Sequence, residues 1–267
     1  MVSFYQEDLG LEVVRSDGDY KGLTTSKANE PIIILHHDAN ASNPPPEATG
    51  LYHYALLVPD RQSLAAAYLA IGGEGVVFDG YADHRVSEAL YLSDPEGNGI
   101  EIYRDRPRSE WKFDENGVEM STQPLDLDSL IKEDPANGSS HALAEGTQVG
   151  HIHLKVSDLQ TSIAFYRDAL GFELMRYLGN AAFLSAGRYH HHLGMNTWES
   201  LGGPESNKSW TGLEYFSFIV PMSVLEELSG RLNITPVVQN GSAKLFLSDP
   251  DDINLTFNAS DHSPAGT

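Results

Sequence analysis

The amino-acid sequence predicts an α+β fold made of four copies of one strand-and-helix module. Residues 149–171 have the pattern of a strand followed by a helix with a clear start and stop. The segment FYQEDLGLE at residues 4–12 returns as FYRDALGFE at residues 165–173. LYLSDP at residues 90–95 likewise returns as LFLSDP at residues 245–250. These internal repeats favour two halves of two modules each over one large domain.

The module that begins at residue 149 shows how each copy is built. Polar and apolar side chains alternate over residues 149–156 like those of a half-buried strand, with His151 and His153 on one face. Asp158 is placed to cap the helix that follows, and Gly171 is placed to end it. Two histidines on one face are an unusual use of a strand, so this face is a candidate site.

Module one comes first and is incomplete. Strands are expected near residues 11–14 and 31–35, before the linker NPPP at residues 43–46. At the repeat offset of 161 residues, the counterpart of His151 lies before residue 1. We therefore expect module one to lack its opening strand, either natively or because of a misassigned start codon or a truncated chain.

Module two opens with GLYHYALLVPD at residues 50–60 and continues into a helix. His53 precedes Asp60 by seven residues, as His151 precedes Asp158, so the two histidines occupy equivalent strand positions. The module closes with two strands around a DPEGNG turn, and Glu101 lies in the last of them.

The two halves are predicted to meet in an acidic, polar segment. We assign residues 1–110 to the N-terminal half, 111–146 to the connection and 147–267 to the C-terminal half, with one short helix near residues 127–132. Module three ends in YHHHLGMNTW at residues 189–198, where His190 and His192 are expected on one strand face. Module four follows from residue 212.

Modules two and four provide an internal comparison. When their repeats are aligned, the polar residues of module two have neutral counterparts in module four. His53 corresponds to Tyr215, Tyr91 to Phe246, and Glu101 to Thr256. Because module four is expected to form the same strands without these groups, His53 and Glu101 indicate chemistry rather than architecture.

Composition excludes several classes of protein. The net charge of -21, from 17 basic and 38 acidic residues, disfavours nucleic acid or an anionic membrane as a partner and is compatible with a halophilic source. The chain has no cysteine, so a metal would be held by His, Asp or Glu. It has no run of 18 apolar residues and no leader at Met1, which predicts a soluble, cytoplasmic protein.

Three longer segments carry a family resemblance. DHRVSEALYLSDPEGNGIEIYRDRPRSEW, HIHLKVSDL and SAGRYHHHLGMNTW resemble the vicinal oxygen chelate superfamily, which includes glyoxalase I and extradiol dioxygenases, and within it bacterial CatE-like catechol 2,3-dioxygenases. The resemblance implies four βαβββ modules that pair into two cupped, mixed sheets. It also implies a divalent metal inside one cup.

The resemblance further implies a site and a reaction. Extradiol enzymes bind Fe(II) through two histidines and one glutamate, which correspond to His53, His151 and Glu101. These three residues share one cup only if module two pairs with module three, so this crossed pairing is predicted. His84 corresponds to an acid–base histidine and Tyr91 to a tyrosine that contacts substrate. The expected partners are a small aromatic diol and O2, and the ring would open to a semialdehyde.

Other interpretations stay open at this point. A glyoxalase-type isomerase would use a fourth protein ligand and Zn or Ni, and Mn is a further alternative to Fe(II) as the cofactor. A metal-free protein of the same fold could instead sequester a drug. A single buried histidine is more often a satisfied core residue than a ligand, and the roles of His153 and of the run His190–His192 are undecided. The sequence also leaves open whether the chain forms a homo-oligomer.

Overall fold

Strands and helices follow one another in the order that the four-module pattern predicts. The structure is a computed structural model that describes residues 1–25, 28–133, 143–239 and 241–260. None of the helices among these residues combines the length and the apolar character needed to cross a membrane. Part of the predicted connection, residues 134–142, lies outside the described residues.

The chain divides into two compact units. Unit 1 comprises Met1–Ala41 and Tyr52–His153, and unit 2 comprises Ser42–Leu51 and Leu154–Thr267. The predicted division into halves at residues 110 and 147 stays a prediction.

Unit 1 contains modules one and two, the described part of the connection and most of the first strand of module three. Its strands are β1 (Glu12–Asp17), β2 (Tyr20–Thr24), β3 (Ile33–His36), β4 (Gly50–Leu57), β5 (Gly80–Asp83), β6 (Ser87–Ser93), β7 (Gly99–Asp105), β8 (Phe113–Asp114), β9 (Gly117–Val118) and β10 (Gln148–Lys155). Its helices are α1 (Arg61–Gly73) and α2 (Leu127–Ile131), with a π-helical turn at Phe4–Asp8 and a 3-10 turn at Arg108–Glu110. The short helix predicted near residues 127–132 is confirmed.

The strands of unit 1 form two main sheets. Module one forms a three-stranded sheet in the order β1-β2-β3, one strand fewer than module two, as predicted. Module two forms the order β4-β7-β6-β5, and β10 lies on the other side of β4. The first strand of module three therefore neighbours the first strand of module two, which is the neighbourhood that the crossed pairing predicts.

Modules one and two share a hydrophobic core. Leu9 and Leu23 of module one are fully buried in the same cluster as Leu64 of α1 and Leu90 of β6. Helix α1 begins where Asp60 accepts a hydrogen bond of 2.8 Å from the Ser63 N–H, as the sequence predicts for a capping residue.

Strand β10 differs from the half-buried strand that its alternation predicts. Residues His151, Ile152, His153 and Leu154 are all buried, so both faces of the strand are covered. The alternating pattern predicted one exposed face because the histidines on that face are polar, yet this face is buried as well. Ile152 and Leu154 occupy the opposite face.

Unit 2 contains the rest of module three and module four. Its strands are β11 (Glu173–Tyr177), β12 (Ala181–Ser185), β13 (Leu193–Asn196), β14 (Phe216–Pro221), β15 (Val237–Gln239), β16 (Ser242–Ser248) and β17 (Asn254–Ser260). Its helices are α3 (Leu159–Ile163), which continues as a π-helical turn at Ala164–Ala169, and α4 (Met222–Leu232). Module four forms the sheet β14-β17-β16-β15, the same order as module two.

The predicted strand position of His190 and His192 is wrong. Both residues lie in the loop that precedes β13, and the strand begins only at Leu193. In this loop, Nδ1 of His190 lies 2.8 Å from Nδ1 of His191, and the ring of Tyr189 lies 4.1 Å from the ring of His190. The His192 N–H still donates to the Leu184 carbonyl of β12 at 2.9 Å, whereas His190 is held by these local ring contacts.

Corresponding contacts recur in the two units, which supports the repeat alignment. Ala55 faces Glu101 across β4 and β7, and Ser217 faces Thr256 across β14 and β17, in the same parallel register. The hydroxyl of Tyr166 donates to Asp249 at 2.9 Å, and the hydroxyl of Tyr5 to Asp94 at 3.1 Å.

Asp249 leads to a prediction about stability and pH. Burial raises its pKa from 3.8 to about 6, despite hydrogen bonds from the Ile253 N–H and the Tyr166 hydroxyl. The folded state therefore holds this proton more tightly than the unfolded state, so its stabilising contribution is present below pH 3.8 and is lost as pH rises through about 6. Relative to the non-titrating Asp249→Asn variant, the free energy of unfolding of the wild type should fall by up to about 3 kcal/mol across this window.

Urea denaturation at several pH values measures this difference. Asp158→Asn is a control for which the pH dependence of the stability difference should have the opposite sign. Hydrogen bonds from Thr161 lower the pKa of Asp158, so its contribution to stability is lost as pH falls. A wild-type minus Asp249→Asn difference that stayed constant with pH would contradict the prediction.

Candidate metal centre

Three buried side chains of unit 1 converge on one point. The Nε2 atoms of His53 and His151 each lie 3.0 Å from Oε2 of Glu101. One ligand atom from each of the three residues can be chosen so that all lie within 4.8 Å of one another. The structure thus brings together the three residues that the sequence nominates as metal ligands.

The sheet places these residues by its register. His53 faces Gly99 across the parallel strands β4 and β7, so Glu101 projects from the same sheet face two residues further along. A side chain at Gly99 would meet the Tyr52 carbonyl oxygen at 2.4 Å, so the close approach of β4 and β7 at this point depends on glycine. The DPEGNG turn therefore contributes to the site as well as to the hairpin.

The charges in the cluster are tightly coupled. Burial opposes ionisation of Glu101, but His151 and His53 outweigh it and hold the pKa of this carboxyl well below its usual range. Burial, with further contributions from His53 and His151, lowers the pKa of His153 well below its usual range. Glu101 is thus ionised and His153 neutral at neutral pH.

One buried nitrogen is chemically informative. The Nε2 atom of His53 is near Glu101 but has no hydrogen bond of acceptable geometry, although it is shielded from solvent. An unsatisfied buried nitrogen is costly, so it indicates a group whose partner is a ligand rather than another side chain. A divalent cation bound by imidazole and carboxylate would satisfy it.

A tyrosine and a glycine that the sequence did not indicate support His151. The ring of Tyr103 is fully buried and its centroid lies 4.7 Å from that of His151. A Cβ atom on Gly150 would lie 1.9 Å from the Tyr103 hydroxyl and 3.0 Å from Cβ of Leu57. The absence of a side chain at Gly150 therefore lets Tyr103 pack beside the histidine.

Gly150→Ala should loosen the metal centre. The added methyl group must displace the rigid ring of Tyr103 or shift β10, and either movement disturbs His151. We expect metal affinity to fall by about 10- to 100-fold, as for other residues that support a ligand. Anaerobic Fe(II) titration measures the change.

Gly80→Ala is the matched control, since Gly80 also lies in a strand of unit 1 but has no atom within 4 Å of an added Cβ. Equal affinities of the two variants would show that Gly150 has no part in supporting His151.

His84 and Tyr91 form a second pair close to the first cluster. The Nε2 atom of His84 lies 2.7 Å from the Tyr91 hydroxyl, and Nδ1 lies 2.9 Å from the Ser121 carbonyl oxygen. Tyr91 faces Glu101 directly across β6 and β7. Burial, then the charge of Glu101, raises the pKa of the Tyr91 hydroxyl well above its usual range, so it stays protonated.

The remaining histidines occupy different places. The ring of His153 lies 5.0 Å from that of His53 and 5.1 Å from that of Tyr52, so it borders the cluster. His190 and His192 belong to unit 2. No sequence pattern indicates the contact between His84 and the Ser121 carbonyl, because a backbone carbonyl can come from any residue.

Much of the chain is similar in sequence to known proteins. Residues 1–102 and 148–223 match the family described as Glyoxalase/Bleomycin resistance protein/Dioxygenase superfamily. A Bacillus subtilis (strain 168) protein named catechol-2,3-dioxygenase is 40% identical over 223 residues, which cover 82% of this chain and 78% of that protein.

Solved structures show the same fold at low sequence identity. Glyoxalase I from Zea mays aligns with a TM-score of 0.54 at 16% identity, over 97% of this chain and 86% of that one. The cppA protein from Streptococcus pneumoniae TIGR4 aligns with a TM-score of 0.59 at 11% identity, over 97% and 92% of the two chains.

Proposed function

The chain belongs to the Glyoxalase/Bleomycin resistance protein/Dioxygenase superfamily, and we propose that it is an extradiol dioxygenase that cleaves catechol-like rings with Fe(II) and O2. The observation that carries the proposal is the buried cluster of His53, His151 and Glu101. The name of the Bacillus subtilis relative supports the same reaction class.

The donor set fits ferrous iron. Two imidazoles and one carboxylate are the ligands typical of non-haem Fe(II) oxygenases, and the unsatisfied Nε2 of His53 is ready to bind a cation. Held by these three residues, Fe(II) would bind the two oxygens of a catecholate and supply the redox chemistry that activates O2. Because Glu101 is already ionised, metal binding does not have to displace a proton from it.

The protein side chains control water and protons around the substrate. His53, His151 and Glu101 are each at most 7% exposed, which keeps bulk water from their ligand atoms. Tyr91 lies opposite Glu101, where its hydroxyl can contact a diol oxygen. His84 is hydrogen-bonded to that hydroxyl and is placed to take up a catechol proton and return it later. The ring opens beside the diol, both atoms of O2 enter the product, and a semialdehyde results.

The size of the ligand cluster favours a dioxygenase over a glyoxalase-type isomerase. Among residues 1–25, 28–133, 143–239 and 241–260, the candidate ligand group has three members. The isomerase would require a fourth protein ligand, whereas the dioxygenase needs three positions left open for substrate and O2.

Anaerobic reconstitution tests the proposal. Protein loaded with Fe(II) and then mixed with catechol and O2 should form a yellow ring-fission product and consume one O2 per catechol. Protein loaded with Zn(II) is the control, since it fills the same ligands without the redox chemistry. Protein that binds no iron would support the metal-free binder, and iron-loaded protein that takes up no O2 with any of a panel of substituted catechols would refute ring cleavage.

A further inference from the structure

The turn that carries His84 is paired with a part of the connection. The Asp83 N–H donates to the Gln123 carbonyl at 2.8 Å, and the Gln123 N–H donates back to the Asp83 carbonyl at 3.0 Å. This two-way bridge brings the carbonyl of Ser121 to 2.9 Å from Nδ1 of His84. Residues 119–123, which the sequence suggests are only a link between halves, thus form one wall around His84.

Charged side chains also contact this turn. The Arg106 guanidinium contacts Asp83 at 2.7 Å and the buried Glu88 at 3.1 Å. Arg85, whose φ of 68° is left-handed, pairs with Glu119 of the 119–123 segment at 3.0 Å. A non-glycine residue is rarely left-handed without support, so these contacts indicate a turn held in one conformation.

The Ser121 contact decides which nitrogen of His84 carries the proton. A carbonyl oxygen only accepts hydrogen bonds, so Nδ1 of His84 must be the donor. In the neutral ring Nε2 is then an acceptor, and the Tyr91 hydroxyl must donate to it. We propose that the 119–123 segment is a positioning element of the active site that fixes His84 in its Nδ1–H tautomer.

This tautomer determines what Tyr91 can do. A tyrosine has one hydroxyl proton, and with the acceptor Nε2 of His84 only 2.7 Å away this proton is donated to His84. The Tyr91 oxygen keeps a lone pair for a substrate hydroxyl. When that hydroxyl gives its proton to Tyr91, the tyrosine proton passes to Nε2 of His84, which leaves a substrate monoanion, a neutral tyrosine and an imidazolium that donates through both nitrogens. This functional meaning rests on the proposed dioxygenase reaction.

The tautomer can be read directly by nitrogen-15 NMR. The full chain with diamagnetic Zn(II) added would be studied at about pH 8.5, some two units above an ordinary imidazole pKa. His84→Gln identifies the His84 signals. We expect a protonated Nδ1 and the downfield shift of an unprotonated Nε2. If the wild-type spectrum showed a His84 ring protonated at Nε2, or a mixture of tautomers, that result would by itself overturn the inference.

Gln123→Pro tests the role of the segment. Proline removes the N–H that donates to Asp83, and Gln123 is exposed, so the change loosens the bridge with little effect on the core. We expect a mixed tautomer and turnover at least about ten-fold lower, within the loss seen when acid–base groups are disturbed. Gln123→Ala keeps the N–H and should show the single tautomer of the wild type.

The two proposals fail in different ways. An unchanged tautomer in Gln123→Pro would overturn the positioning role, even if the wild type cleaves catechols. The NMR measurement uses no substrate or O2, so a wild type with the expected tautomer and no ring cleavage would refute only the proposed reaction.

Discussion

Glu101→Ala should abolish both iron binding and ring cleavage. Glu101 is the one carboxylate in the cluster, and it contacts His53 and His151 at 3.0 Å each. Without it, two neutral imidazoles remain, which cannot compensate the charge of a buried divalent cation. Metal analysis after anaerobic Fe(II) reconstitution and O2 uptake with catechol measure the two losses.

Module four provides the matched control. Thr256 occupies the register position of Glu101 and is also buried, so Thr256→Ala should keep full iron content and turnover. Thr256→Glu should add no activity, because Tyr215 stands where module two has His53. Glu101→Gln preserves the side-chain volume and separates loss of the charge from loss of the fold. Full iron and full turnover in Glu101→Ala would place the site elsewhere.

His84→Ala should keep iron but lower turnover by about 10²- to 10⁴-fold, the range typical of general acid–base groups. His84 contacts Tyr91 and the Ser121 carbonyl and is not one of the candidate metal ligands. The variant therefore removes the proton acceptor and leaves His53, His151 and Glu101 in place. Steady-state O2 uptake together with iron content separates the two effects.

An exposed histidine of the same unit serves as the control for this variant. His37→Ala should leave iron content and turnover unchanged. If His84→Ala lost its iron, His84 would be a ligand, and if it kept full turnover, His84 would have no part in proton transfer.

Local signals were enough to predict most elements and the candidate ligands. Asp60 and Asp158 cap helices because a short acidic side chain before an apolar helical pattern satisfies free N–H groups. The contrast between modules two and four identified His53 and Glu101, since both copies build the same strands in the same register. Repetition within one sequence thus separated residues needed for the strands from residues available for chemistry.

Long-range contacts set the limits of such inference. The loop at His190 was predicted as a strand because alternation does not show whether a backbone has a ladder partner. The roles of Gly150 and Ser121 were missed for a related reason. The role of Gly150 depends on the close approach of Tyr103, and the role of Ser121 depends on its backbone carbonyl. Neither feature produces a recognisable pattern in the sequence.

The sequence by itself determined the α+β modules, their number and which three residues are candidate metal ligands. Only the tertiary structure decided that β10 lies beside β4, so that His151 reaches Glu101 from 50 residues further along the chain. The physical reason is that periodicity and capping depend on neighbours within a few residues. The partner of a strand edge depends instead on which distant segment satisfies its hydrogen bonds while burying its side chains.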